Sequence, residues 1–146
     1  MTTKTPVPVL IGADMNCYNV ARAFHEEYGV VSYAFGRYEI GATKASKFIR
    51  FRTVPTMDTD ETFLAEVNAF YEENKADDKA FFLLGCTDDY ANLIARNAEK
   101  LRPRFIVPYS SMDIMDTFVS KERFYRACDE HGILYPKTKE IGRAHV

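Results

Sequence analysis

Seven residues combine reactive chemistry with a setting in which a small charged ligand can meet them. Asp14 and Asn16 stand in "GADMN", Arg37 in "GRYE", Ser46 in "TKASK", and Asp88 and Asp89 in "GCTDD". Lys121 opens a helix near the end of the chain, in "SKERFYRACDEHG". A guanidinium grips a carboxylate with two parallel hydrogen bonds, so Arg37 suits a substrate carboxylate. Asp14, Asn16, Asp88 and Asp89 offer oxygens to a substrate amine, and Ser46 offers a hydroxyl to the same substrate. A lysine over the unpaired N–H groups of a helix start helps hold an anion. Each residue also has a plainer use. Asp14 and Asn16 can cap the first helix and Asp88 can start another. Arg37 can pair with Glu39 on the surface, Ser46 can close a turn, and Lys121 can simply be solvated.

Other constellations fail on their spacing. A dinucleotide fingerprint needs glycines at G-x-G-x-x-G, so that the backbone can approach a pyrophosphate. Here Gly12 is followed by Ala13, Asp14, Met15, Asn16 and Cys17, and the aspartate at the second glycine position repels phosphate. Arg37 keeps open a weak alternative, an NADP-dependent oxidoreductase half. A phosphorylated receiver domain needs a lysine at its last strand, and "FIVPYSS" carries none. His25, among glutamates on a polar helical face, is not a ligand, and Cys86 reads as a small core residue. Cys17, Cys86 and Cys128 lie far apart without a CxxC pair, which fits reduced, mostly buried thiols in a cytoplasmic protein.

The elements that position these residues follow from periodicity. "VPVLIG" is an apolar run closed by glycine and reads as a buried strand. Cys17, Val20, Ala21, Phe24 and Tyr28 then share one helical face, which Gly29 ends. "VVSYAFG" is a second strand. "KFIRFRTV" alternates charged and apolar residues, as expected of an edge strand. Asp58 is the expected N-cap of the next helix, with Glu61 completing a capping box, before the stripe Phe63, Leu64, Val67, Phe70 and Tyr71. "AFFLLG" is apolar enough to require helices on both faces. Tyr90, Leu93, Ile94, Asn97 and Leu101 mark one more helix, and "FIVPY" the last central strand, with Pro108 at its end. Ser120 caps the helix that Lys121 begins, which buries Phe124, Ala127 and Cys128 and closes at His131–Gly132.

This order predicts a three-layer, Rossmann-like α/β domain, with a mostly parallel sheet of about five strands and helices on both faces. Ligands in such sheets collect at the carboxyl ends of the strands. The 146 residues are 47% hydrophobic, enough for one domain with a real core. A formal net charge of -2 gives no electrostatic case for nucleic acid or an anionic membrane, and the polar opening "MTTKT" has no leader pattern.

Two stretches carry a family resemblance. "SKERFYRACDEHGILYPKT" resembles the linker of ATP-grasp ligases, where a lysine-bearing helix and a Gly-Ile-x-x-Pro-x-Thr segment lead into the ATP-binding domain. "LIGADMNCYNVARAFHEEYGVVSYAFGR", followed by "TKASKFI", resembles the opening of carboxylate–amine ligases in that superfamily, the branch of D-aspartate ligases and carbamoyl-phosphate-synthase-like proteins. The resemblance implies a pre-ATP-grasp domain over residues 7–118, preceded by a flexible tail at 1–6. Residues 119–146 become the linker helix and the start of an ATP-grasp domain, the missing C-terminal partner. It further implies ATP and Mg²⁺ as cofactors of the full-length enzyme, small carboxylate and amine substrates, and Lys121 as a nucleotide contact. The catalytic and metal-binding groups then belong to the later domain, so the fragment is inactive alone. An apolar face left by the missing partner favours a homodimer. The competing expectation is a stand-alone nucleotide or small-ligand-binding module.

Overall fold

The computed structural model describes residues 4–137. Four strands alternate with helices as the periodicity requires. They are β1 (Thr5–Ile11), β2 (Ser32–Gly36), β3 (Ile49–Thr53) and β4 (Lys79–Gly85). Between and after them run α1 (Met15–Tyr28), α2 (Gly41–Lys44), α3 (Asp60–Asn74), α4 (Asp88–Arg96) and α5 (Ala98–Leu101). The strands form a fully parallel sheet in the order β3-β2-β1-β4. Strand order reverses at β1, which places the switch point between the carboxyl ends of β1 and β4. The α/β, doubly covered reading therefore holds, with β3 at the edge as its alternating charges required.

The two faces of the sheet are covered unequally. Val7, Val9 and Ile11 of β1 and Phe81 and Leu83 of β4 pack against Phe63, Val67 and Phe70 of α3 and Leu93, Ile94 and Leu101 of α4 and α5. Full burial of each such side chain stabilises the fold by about 1.5–3 kcal/mol, so this face carries most of the core. On the other face Leu10, Ala34 and Ile49 meet Cys17 and Ala21 of α1. There Ala80, Phe82 and Leu84 of β4 are only half-buried, contrary to the expectation that helices cover both faces of this strand. Both helices that flank β4 in sequence, α3 and α4, went to the first face.

Several local expectations shift. β1 starts at Thr5, two residues before the apolar run. "FIVPY" contributes a single bridge, Phe82 to Ile106, rather than a fifth strand. Pro108 lacks an N–H, and the Tyr109 hydroxyl takes over the next backbone donor, accepting from the Gly85 N–H at 2.7 Å. The helix predicted from Tyr90 to Leu101 breaks at Asn97, which is buried and donates from its amide to Leu93 O at 3.0 Å. Thr59, not Asp58, caps α3, accepting from the Thr62 N–H at 3.4 Å. Asp58 is engaged by Arg37 instead.

Two glycines set how closely the loops at the carboxyl rim approach one another. Gly12 sits at φ 143°, and a Cβ there would lie 2.8 Å from the Cys86 Cβ. At Gly85 a Cβ would meet the Ala91 backbone nitrogen at 2.4 Å and the Tyr90 carbonyl carbon at 2.6 Å. The first residues of α4 therefore lie directly on the end of β4.

The chain divides into two units, Met1–Met112 and Asp113–Val146. The second holds α6 (Met112–Val119), apart from its first residue, and α7 (Lys121–Glu130). Ser120 caps α7 as expected, accepting from the Arg123 N–H, and Gly132 at φ 64° follows its C-cap. Phe118 and Phe124 pack with ring centroids 5.9 Å apart. The segment from Thr138 onward, including "EIGRAHV", lies outside the described residues. Among the described residues no helix is long and apolar enough to cross a membrane.

Candidate functional site at the carboxyl rim of the sheet

A cleft of about 500 Å³ opens at the carboxyl ends of the strands. Arg37 and Tyr38 reach it from the turn after β2, and Asp58 from the loop before α3. The remaining wall is one face of α4, where Asp89, Asn92, Leu93 and Arg96 recur at helical spacing beside Tyr90. Thr87 holds that helix in place as its N-cap, accepting from the Tyr90 N–H at 3.4 Å.

The electrostatics alternate across the cleft. Arg37 Nη1 lies 2.9 Å from Asp58 Oδ2, with both side chains about half exposed. Burial pushes the Tyr90 hydroxyl above its usual range, and the nearby Asp58 carboxylate adds to the effect. Tyr90 therefore stays a neutral donor at physiological pH. Arg96 binds Asp60 through Nε at 2.9 Å and Nη2 at 3.0 Å, the two-pronged geometry of a guanidinium on a carboxylate. Hydrogen bonds from Arg96 and then Asn97 hold the Asp60 carboxyl below the ordinary aspartate range. Asp89 has no ion-pair partner among the described residues. The Asn92 Oδ1 is buried and also unpartnered there. The cleft thus offers two guanidinium groups already satisfied by exchangeable carboxylates, one spare carboxylate and a phenol. That set can receive a zwitterion, with its carboxylate on an arginine and its ammonium on an aspartate.

Of the seven candidates, the structure brings Arg37 and Asp89 together. Asp88 is exposed on the first turn of α4 and does not line the cleft. Asp14 caps α1, accepting from the Cys17 N–H at 3.0 Å, while Asn16 donates to Asp14 at 3.1 Å. Ser46 closes a turn, accepting from the Phe48 N–H at 3.3 Å. It borders a separate shallow groove with Tyr18, His25 and Phe48. His25 stacks on Phe48 with centroids 5.0 Å apart. Glu39 pairs with Lys44 and leaves Arg37 to Asp58. Lys121 is exposed on the first turn of α7, in the second unit.

Tyr38, Asp58, Asn92 and Arg96 were missing from the sequence-derived set. The spacing of Asp89, Asn92 and Arg96 was a legible signal, since positions three and seven apart share a helical face. Asp58 was masked by its plausibility as a cap. Cys86 is buried, and a hydrogen bond with Cys17 followed by burial pushes its thiol up, which disfavours the thiolate a nucleophile needs. All three cysteines are free and buried. Among the described residues no group of three or more His, Cys, Asp or Glu side chains stands where it could hold a metal ion.

No protein-family model matches the chain, and no solved structure matches it. The chain is similar to a curated protein, the D-aspartate ligase of Enterococcus faecium (strain Aus0004), with 34% identity over 133 residues. That alignment covers 90% of this chain and 32% of the ligase, so the chain spans about a third of the length of the relative it matches.

Proposed function

We propose that this chain is the substrate-side, pre-ATP-grasp portion of an ATP-dependent carboxylate–amine ligase. The observation that supports the reading best is the 34% identity to a D-aspartate ligase over 90% of this chain. In this reading Arg37 exchanges Asp58 for the carboxylate of an amino-acid substrate, and Asp58 or Asp89 receives its ammonium. Exchange is inexpensive because an exposed ion pair contributes at most about 1 kcal/mol. Bound ATP and Mg²⁺ would supply activation of a carboxylate as an acyl phosphate, which an amine then displaces. In this reading the metal and most nucleotide contacts belong to the remainder of the longer protein, as the family resemblance implies. Lys121, exposed and first in its helix, is the one group of this chain assigned to a nucleotide phosphate. The chain by itself neither hydrolyses ATP nor forms a carbon–nitrogen bond.

The test is kinetic, in the ligase containing this segment. Arg37→Ala should raise the KM of the amino-acid substrate about tenfold or more, the size expected for losing a charged hydrogen-bond partner, with little change in the KM of ATP. An unchanged amino-acid KM removes Arg37 from the site. ATP turnover by the 146-residue chain alone overturns the assignment of the chemistry to later sequence.

A further inference from the structure

At the opposite end of the sheet, on its sparsely covered face, runs an apolar groove of about 490 Å³. Its floor is Pro6 of β1 with Ala80 and Phe82 of β4; Pro6 and Ala80 are register partners, and Phe82 forms a backbone bridge with Ile106 beside the groove. Ile106 is 45% exposed. One wall is α1, which presents Phe24, and Tyr28 stands on the rim 58% exposed. Lys4 and Glu27 mark the groove with one charge of each sign. Neither has an ion-pair partner among the described residues, although most other charged side chains around the sheet do.

We infer that this groove is a self-association surface that takes a second copy of the chain across a two-fold axis. A two-fold interface must be complementary to itself, so that residue i meets j while j meets i. Lys4 and Glu27 satisfy that condition. Each Lys4 faces the Glu27 of the other copy, and the pairing occurs twice. A concave groove cannot fill itself by flat apposition, and the exposed Tyr28 ring supplies the knob that enters the partner's groove. Such a site gives an aromatic anchor in an apolar pocket and a charged rim that sets orientation. It lies away from the carboxyl-rim cleft, so association leaves that cleft open.

Sedimentation equilibrium of the intact chain tests the inference directly. The weight-average mass should rise with concentration from 16.7 kDa toward twice that value. Lys4→Glu and Glu27→Lys, each alone, should weaken dimerisation by about tenfold, because each reversal spoils two symmetry-related pairs. The double reversal restores the pairing with its polarity exchanged and should return the dimerisation constant to within about threefold of the parent. Both positions are exposed, so the variants are expected to fold, which circular dichroism checks. A mass fixed at 16.7 kDa at millimolar concentration overturns the inference, as does a double variant no better than the worse single one.

Discussion

Replacing Gly85 by alanine is the sharpest probe of how this domain holds its carboxyl rim. A Cβ at that position would stand 2.4 Å from the Ala91 nitrogen, 2.6 Å from the Tyr90 carbonyl carbon and 2.8 Å from the Ala91 Cα. All three obstacles are backbone, so no side chain can swing aside. Ordinary contact begins at 3.4 Å, so the start of α4 must retreat by about 1 Å. That retreat lifts Leu93 and Ile94, both essentially buried, away from the first-face core. A gap of that size forfeits about a quarter to a half of each contact well, and a buried leucine makes several tens of contacts of about 0.1–0.2 kcal/mol each. Allowing for partial repacking, the loss comes to about 2–4 kcal/mol. Urea unfolding followed by circular dichroism reads it as a lower midpoint at unchanged m-value. Gly41→Ala is the matched control, since nothing lies within 4 Å of its Cβ and the residue opens α2. It should be neutral or slightly stabilising, by up to about 1 kcal/mol. A Gly85→Ala protein within about 1 kcal/mol of the parent would refute the argument that α4 is seated by direct backbone contact.

Two further perturbations address the neighbouring contacts. Tyr109→Phe removes the hydroxyl that accepts from the Gly85 N–H while keeping the ring, and should cost about 1–2 kcal/mol in the same assay, with faster amide exchange at Gly85. Asp60→Asn should destabilise the fold at pH 7 by no more than about 1 kcal/mol, because the pairing with Arg96 is solvent-screened. The folded-state pKa of Asp60 is lowered, so its contribution is present above the unfolded-state value and lost as pH falls through the folded one. The difference between Asp60→Asn and parent should therefore shrink below about pH 4, and a constant difference down to pH 2 would contradict the assignment.

The layered α/β architecture was legible in the chain because two signals agree at each element. The apolar runs "VPVLI" and "AFFLL" carry no helical spacing, while Phe63, Val67 and Phe70 carry little else. Asp14, Gly29 and Ser120 supplied helix boundaries through side-chain and backbone chemistry that acts locally. What stayed hidden depends on distant partners. Asp58 and Thr59 are both favoured cap types in isolation, and Thr59 takes the cap while Arg37, some twenty residues earlier, claims Asp58. The helix break at Asn97 depends on Asp60, which accepts from its amide across the helix pair. "FIVPY" has strand composition, yet only Ile106 joins the ladder, because Pro108 removes a donor. For the candidate site, sequence order placed Arg37 and Asp89 at the carboxyl rim, where both line the cleft. It did not separate them from Asp14 and Ser46, whose side chains are spent on their own turns.

The tight seating at Gly12 and Gly85 governs how the rim can respond to whatever enters it. With Gly12 abutting Cys86 and Gly85 abutting Ala91, the main chain there is packed closely enough that neither position has room for a side chain. Adaptation is left to the half-exposed Arg37 and Asp58, which can swivel on their own bonds. If the proposed site is used, recognition there would work by swapping electrostatic partners, and ligands of different length but like charge pattern should be accommodated with little backbone displacement.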